Sequence, residues 1–153
     1  MRNSENPVGR WISPLYRYRK AFMTKKLEDY GAAGGLFMIL LTISCNDGIN
    51  QEQISDYLII DKATTAKAVK RLECEQYVRR ETDADDKRIN RVYATEKAAE
   101  AVSEIKKGLA EWDAVIREGI PEQDYRKTEE TLHKMILNAY HNAAARGKPA
   151  DPD

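Results

Sequence analysis

Cysteine and histidine are scarce in this chain, with two of each among 153 residues. Two thiols build no disulfide framework, no Cys/His spacing matches a zinc site, and free thiols fit a reducing compartment. His133 and His141 stand eight residues apart, not at the i, i+4 spacing that a zinc pair or a base relay needs. The glycine cluster Gly31, Gly34 and Gly35 precedes a helix, follows no strand and lacks the Lys-Ser/Thr partner of a phosphate loop. These gaps argue against catalysis and predict neither metal nor cofactor. No apolar run approaches the roughly 18 to 20 residues of a membrane span, and residues 1–20 lack the apolar core of a signal peptide. The expectation is a cytoplasmic protein with no membrane partner.

Net charge is missing too. Lys plus Arg and Asp plus Glu each number 25, so no global cationic field steers the chain toward nucleic acid. The distribution is uneven. Arg2, Arg10, Arg17, Arg19, Lys20, Lys25 and Lys26 load the N-terminal segment against few acids, whereas residues 100–130 lean acidic. A local face, not the total, therefore decides what the chain binds.

What is present is concentrated in residues 49–98. Asn50 is a helix cap and Gln53 completes a capping box, so a helix starts near Gln51. Ile54, Tyr57 and Leu58 fall three and four apart, which predicts one buried face and leaves Glu52, Gln53 and Asp56 wet. Asp61 is a second cap and opens the run Lys62-Ala63-Thr64-Thr65-Ala66-Lys67-Ala68-Val69-Lys70-Arg71-Leu72-Glu73. On a 3.6-residue period Thr65, Ala68, Val69 and Leu72 share one side. Thr64, Lys67 and Arg71 share another, with Ala63 and Lys70 beside it. Small and hydroxylic residues at the N-terminus suit base edges in a major groove, and Lys and Arg suit phosphate. Read alone, the run fits a solvated surface helix equally well.

The following segment tips the balance. Residues 77–82 and 88–95 alternate β-branched or aromatic with polar side chains around Asp83-Ala84-Asp85-Asp86-Lys87, which predicts a hairpin with a charged tip. A lone hairpin is marginal in water, so it packs on the helices and holds out a wing. Lys87, Arg88 and Arg91 give that wing cations for an adjacent minor groove. Asp83, Asp85 and Asp86 oppose this in part, and Asp86 is expected to orient a neighbouring arginine by a bidentate pair.

In order, these motifs resemble the MarR-type (multiple antibiotic resistance regulator) transcriptional regulators. The resemblance is carried by the helix opening at 49–58, the helix at 62–73, Asp86-Lys87-Arg88, and Val92-Tyr93-Ala94-Thr95-Glu96-Lys97-Ala98. It covers most of the chain. This sequence departs from the family pattern where Glu75-Gln76 stands for a common glycine, Ala94-Thr95 for Leu-Thr, Ala98 for glycine, and Thr65 for a small apolar residue. The fold so predicted is mainly α with a small β-hairpin wing: a winged helix-turn-helix with N- and C-terminal dimerisation helices. Residues 33–98 form the DNA-binding unit, 10–30 and 99–146 the dimerisation helices, and 147–153 a flexible tail.

The flanks support assembly. Residues 12–30 place Leu15, Tyr18, Phe22 and Leu27 at near-helical spacing, residues 36–44 read as a core helix, and Gly119-Ile120-Pro121 separates helices at 96–118 and 122–146. A small reading head cannot cover such long amphipathic elements, which predicts pairing with a second copy. The resemblance implies a two-fold homodimer on a palindromic site in double-stranded DNA, with recognition helices about 34 to 36 Å apart. The residue types assign Lys62, Ala63, Thr64 and Lys67 to base edges and groove, Lys70 and Arg71 to phosphate, and Lys87, Arg88 and Arg91 to the wing. The resemblance further implies a repressor released by a small aromatic or phenolic effector, for which Trp11, Tyr16, Arg19, Phe22, Phe37 and Trp112 are candidate lining residues. For any one of these, ordinary core or interface packing outweighs ligand contact, because apolar stripes at helical spacing are usually core. Two alternatives remain at this stage: a winged-helix module that binds protein, and a thiol-based sensor. Cys45 reads as a small buried hydrophobe, and Cys74 stands near the cations Lys70, Arg71 and Arg79.

Overall fold

Leucine, isoleucine and phenylalanine fill most of helix α2 (Leu36–Cys45), and around it the rest of the fold is laid. The computed structural model describes residues 8–30 and 35–145. Residues 31–34, Arg2, Arg146 and the tail expected at 147–153 lie outside the described residues. Chain order is α1 (Gly9–Lys26), a short 3-10 turn (Glu28–Tyr30), α2, β1 (Ile49–Asn50), α3 (Gln51–Leu58), α4 (Lys62–Cys74), β2 (Val78–Thr82), β3 (Asn90–Ala94), α5 (Ala98–Arg117) and α6 (Glu122–Ala145). The fold is a mainly helical winged helix-turn-helix.

One core serves the helix-turn-helix, the sheet and the long helices together. Phe37, Leu40 and Ile43 of α2 meet Ile54 of α3, Val69 and Leu72 of α4, Val78 and Val92 of the sheet, and Ala101 and Ile105 of α5, all buried. Against α5, α1 supplies Met23 and is followed by buried Leu27. That crossing is close at Gly108, where a β-carbon would stand 3.1 Å from the Met23 thioether and 3.2 Å from the Lys26 stem. Glycine there costs helix propensity and admits the neighbouring helix.

The sheet has three antiparallel strands in the order β1-β3-β2. The sequence predicts only the hairpin. Ile49 and Asn50, taken as a helix entry, also pair with Val92 and Arg91, so the residue that caps α3 is held to the wing strand. The hairpin itself is trimmed to Val78–Thr82 and Asn90–Ala94, with Arg79 opposite Tyr93 and Glu81 opposite Arg91.

Four further expectations are corrected. The first helix stops at Lys26 and gives way to the 3-10 turn instead of running to Tyr30. The helix predicted from residue 96 starts at Ala98. Tyr57 is 49% exposed, because buried Ser55 takes the inner place beside Ile54. Cys45 is exposed: it is the last residue of α2, past the buried turn that ends at Ile43.

Two helix ends use the left-handed conformation without glycine. At the end of α4, Gln76 has φ 63°, its N–H reaches the Glu73 carbonyl (2.9 Å), and the Tyr77 N–H reaches Leu72 (2.9 Å). At the end of α3, Ile59 has φ 53°, with Ile59 N–H on Asp56 (3.2 Å) and Ile60 N–H on Ser55 (3.0 Å). Both are Schellman closures, which glycine favours because it has no β-carbon to clash. Gln76 occupies the stretch where the family pattern carries glycine.

Beyond the sheet, α5 and α6 meet at a corner formed by Gly119 (φ 73°) and Pro121. Arg117 bonds Asp113 (3.2 Å) and Glu122, and the Tyr125 hydroxyl donates to Asp113. The carboxylate so placed pushes the Tyr125 hydroxyl up to about 12. From this corner α6 carries half-exposed Leu132, Met135 and Ile136, while α1 exposes Trp11, Ile12, Leu15 and Tyr16.

Candidate nucleic-acid interface

Reciprocal capping starts α3. The Asn50 side-chain oxygen Oδ1 accepts from the Gln53 N–H (2.9 Å), and the Gln53 side chain accepts from the Asn50 N–H (3.0 Å). Asp61 starts α4 by accepting from the Thr64 N–H (2.8 Å). These closures leave the turn between the helices only three residues, 59–61, so α4 is set against α3 by local chemistry.

The two sides of α4 separate as the sequence period requires. Thr65, Ala68, Val69 and Leu72 are buried, whereas Lys62, Ala63, Thr64, Lys67, Lys70 and Arg71 are exposed. The exposed cations differ in their engagements. Lys62 is paired with Glu52 of α3, which raises the lysine and lowers the glutamate from their ordinary values through that hydrogen bond. Arg71 Nε donates to Glu75 at 3.0 Å, one turn on. Among the described residues Lys67 and Lys70 have no hydrogen-bond or ion-pair partner. The Thr64 hydroxyl donates to Asp61, whose carboxyl is thereby lowered. A threonine hydroxyl that has given its hydrogen still accepts, so Thr64 in this state suits a donor such as a base amino group.

The wing shows a similar division. Asp83 Oδ1 accepts the backbone N–H groups of Asp85 (2.9 Å) and Asp86 (3.0 Å), which folds the tip into a turn. Those two bonds, followed by the Arg91 side chain, lower the Asp83 carboxyl from 3.8 to about 2. Asp86 holds Arg88 by a two-pronged contact, Nε at 2.9 Å and Nη2 at 2.7 Å, with the Arg88 N–H on the same carboxylate at 3.0 Å. The bidentate pair expected for Asp86 is thus formed, and it leaves the Arg88 side chain 90% exposed. Lys87 is exposed beside it. Arg91 instead donates to Asp83 and to the Gly48 carbonyl (3.1 Å), toward the base of the wing.

Behind α4 lies a cavity of about 340 Å³ between α1, α2 and the helix-turn-helix. Tyr16, Arg19 and Lys20 form one wall, Leu36 to Ile39 another, and Leu58, Ile60, Thr64 and Ala68 the side toward α3 and α4. Of the six lining residues expected, Tyr16, Arg19 and Phe37 are there. Trp11 is not among the lining residues and is 68% exposed. Phe22 and Trp112 pack on each other instead, their rings 5.6 Å apart and tilted by 48°, between α1 and α5. Sequence reading missed Lys20, Leu58 and Ile60. Lys20 was signalled only by adjacency to Arg19, and Leu58 and Ile60 only by their place at the turn.

A helix-turn-helix, a braced hairpin and a shared core with long flanking helices define the winged helix-turn-helix class. A profile of the MarR family matches residues 35–89. The chain is 40% identical to a MarR transcriptional regulator from Methanosarcina mazei Go1, over 86% of this chain and 95% of that one, with a TM-score of 0.81. It is 27% identical over 122 residues to the HTH-type transcriptional regulator BilQ of Clostridioides difficile (strain CD3), covering 80% of this chain and 82% of BilQ. A MarR-type chain from Listeria monocytogenes, solved complexed with a 26mer DNA, shares the fold with a TM-score of 0.84 at 24% identity, covering 94% of this chain and 97% of that one. The chain belongs to the MarR family of transcriptional regulators. These relatives are regulators, not enzymes, and among the described residues no helix is long and apolar enough to cross a membrane.

Proposed function

We propose that the chain acts as a homodimeric repressor, which reads a palindromic operator with α4 and the wing and is released by a small aromatic acid. The observation that carries this reading is the outward face of α4. Lys67 and Lys70, whose side chains are unpartnered among the described residues, follow small Ala63 and hydroxylic Thr64 along a helix whose other face is fixed in the core. In this reading Lys62, Ala63, Thr64 and Lys67 lie in the major groove, Lys70 and Arg71 take phosphates, and Lys87 and Arg88 reach the minor groove. The DNA carried by the Listeria relative supports the same use of the fold here.

Dimerisation is supported by the apolar residues that α1 and α6 expose, which a second copy would cover. The proposed division is therefore residues 33–98 as the reading unit and 10–30 with 99–146 as the dimer arms. Effector response is supported by the cavity, where Arg19 and Lys20 stand over apolar walls and two lining residues, Thr64 and Ala68, belong to α4.

The experiment is binding of the purified protein to its own upstream DNA and to random duplex at several salt concentrations. Selective binding with a steep salt slope supports the proposal, and Lys70→Ala then flattens the slope by about one. The rival protein-binding module draws its support from the neutral net charge and the acidic wing tip. Here Asp83 and Asp86 are spent on backbone N–H groups and arginines, which leaves that tip less free to bid for a cationic partner. Unchanged binding by Lys67→Glu and Arg88→Glu variants would favour the rival.

A further inference from the structure

We infer that Arg91 is a positioning residue of the wing, holding Arg88 in place through Asp83 and Asp86 and making no DNA contact of its own; the inference rests on the proposed reading of DNA by the wing. Arg91 stands on β3 opposite Glu81 of β2 and Asn50 of β1. Its guanidinium spans two acceptors from different parts of the chain: the Asp83 carboxylate, and the Gly48 carbonyl 43 positions away at 3.1 Å. Gly48 is a firm anchor. It has φ 74°, is buried, and faces the Tyr93 ring, which would stand 3.2 to 3.3 Å from any β-carbon added there.

From Gly48 the hydrogen bonds run unbroken to the tip of the wing. Arg91 holds Asp83, Asp83 holds the N–H groups of Asp85 and Asp86, and Asp86 holds the guanidinium and the N–H of Arg88. Two backbone bonds close the loop, Asp83 N–H to Ile89 and Ile89 N–H to Asp86, both 2.9 Å. Exposure assigns the roles. The Asp83 side chain is 7% exposed, so an Arg91 that swung into a groove would leave a covered carboxylate without its cation, which is costly. Arg88, 90% exposed, bears no such constraint.

Arg91→Gln, Asp83→Asn and the double variant separate the two roles in the full-length protein, read by amide exchange of the wing in the free protein and by binding to duplex DNA. Asparagine still accepts from the Asp85 and Asp86 N–H groups but offers Arg91 no charge. Expected are about tenfold faster exchange of the Asp85, Asp86 and Arg88 amides in Arg91→Gln, and about tenfold weaker DNA binding in each single variant, with the double variant no worse. Weaker binding by Asp83→Asn is the telling sign, since deleting a negative charge near DNA otherwise strengthens binding. The inference is overturned if Arg91→Gln leaves wing exchange unchanged. It is also overturned if Asp83→Asn binds DNA as well as the parent or better while Arg91→Gln loses affinity, which would make Arg91 a direct contact. If the parent chain binds no duplex, the DNA reading fails and the exchange result alone decides the brace. Should Arg91→Gln unfold at the assay temperature, Arg91→Lys replaces it under the same criteria, since its ammonium cannot span both acceptors.

Discussion

Ser55 and Thr65 share a hydrogen bond of 2.9 Å between two buried hydroxyls, one on each helix of the helix-turn-helix. Each also faces a carbonyl on its own helix or cap, Gln51 at 2.9 Å from Ser55 and Asp61 at 3.3 Å from Thr65. One hydroxyl hydrogen serves the pair and the other a carbonyl, so neither oxygen is stranded. Thr65 departs from the family pattern of a small apolar residue, and Ser55 is what makes the departure tolerable. Thr65→Val keeps the shape and deletes one partner. It should lower the unfolding free energy by about 1 kcal/mol, the net value of one such bond. Ser55→Ala combined with Thr65→Val should cost less than the two single changes added together, because no unmatched hydroxyl remains. Urea unfolding of the four proteins measures this directly, and strict additivity would deny the pairing.

Gln76 and Ile59 pay a conformational cost that glycine would remove. Gln76→Gly should stabilise the fold by about 1 kcal/mol, the usual penalty for a β-carbon in the left-handed region. Ile59→Gly should gain at least as much, since a β-branched residue is worse placed there and this one is 71% exposed, with little burial to lose. The test is the urea midpoint at constant slope. A fall in midpoint for either variant would mean that the side chain contributes more than its conformation costs.

These cases separate what was legible in the sequence from what was not. Both helix starts were readable, because Asn50 with Gln53 and Asp61 with Thr64 act over three positions. So was the split of α4 into Thr65, Ala68, Val69 and Leu72 against the lysine face, which follows from period alone. Strand β1 was not: two residues form a strand only because Val92 and Arg91 arrive beside them. The engagement of Arg91 was hidden for the same reason, since Gly48 lies 43 positions away and residue type alone reads any wing arginine as a DNA cation. Phe22 and Trp112 illustrate the converse. Both carry the aromatic character of a ligand site, and the packing of α1 on α5 uses them on each other.

Asp83 gives the wing a dependence on acid. Its carboxyl stands at about 2 in the fold against an ordinary 3.8, held down by the Asp86 and Asp85 N–H groups and then by Arg91. A value depressed on folding contributes stability above the unfolded value and loses it as pH falls through the folded one. Unfolding of the parent and of Asp83→Asn should therefore differ most above pH 4 and converge as pH falls from about 4 to about 2. Because other lowered carboxyls are common to both proteins, the difference isolates Asp83. A gap that stays constant over this range would show that the carboxylate charge adds nothing to the fold.

Arg19 tests the proposed effector response at the cavity that borders α4. The cavity sets Arg19 and Lys20 near Phe37, Leu58 and Ile60, and two of its lining residues, Thr64 and Ala68, lie on α4 itself. Under that proposal an occupant would press on α4 without an intermediary, and it would release DNA only to the extent that it prefers the form that cannot bind. Salicylate-like acids titrated into a protein and operator mixture should release DNA from the parent. Arg19→Gln should move the midpoint up by about tenfold, the loss expected for one charge-assisted contact. Trp11→Phe should leave it where it was, because Trp11 is outside the cavity, and so should Trp112→Phe, because Trp112 packs on Phe22. A midpoint that responds to Trp11 or Trp112 but not to Arg19 would relocate the effector to the helix junction. No release at any soluble concentration would remove aromatic acids as the ligand class while leaving the DNA reading untouched.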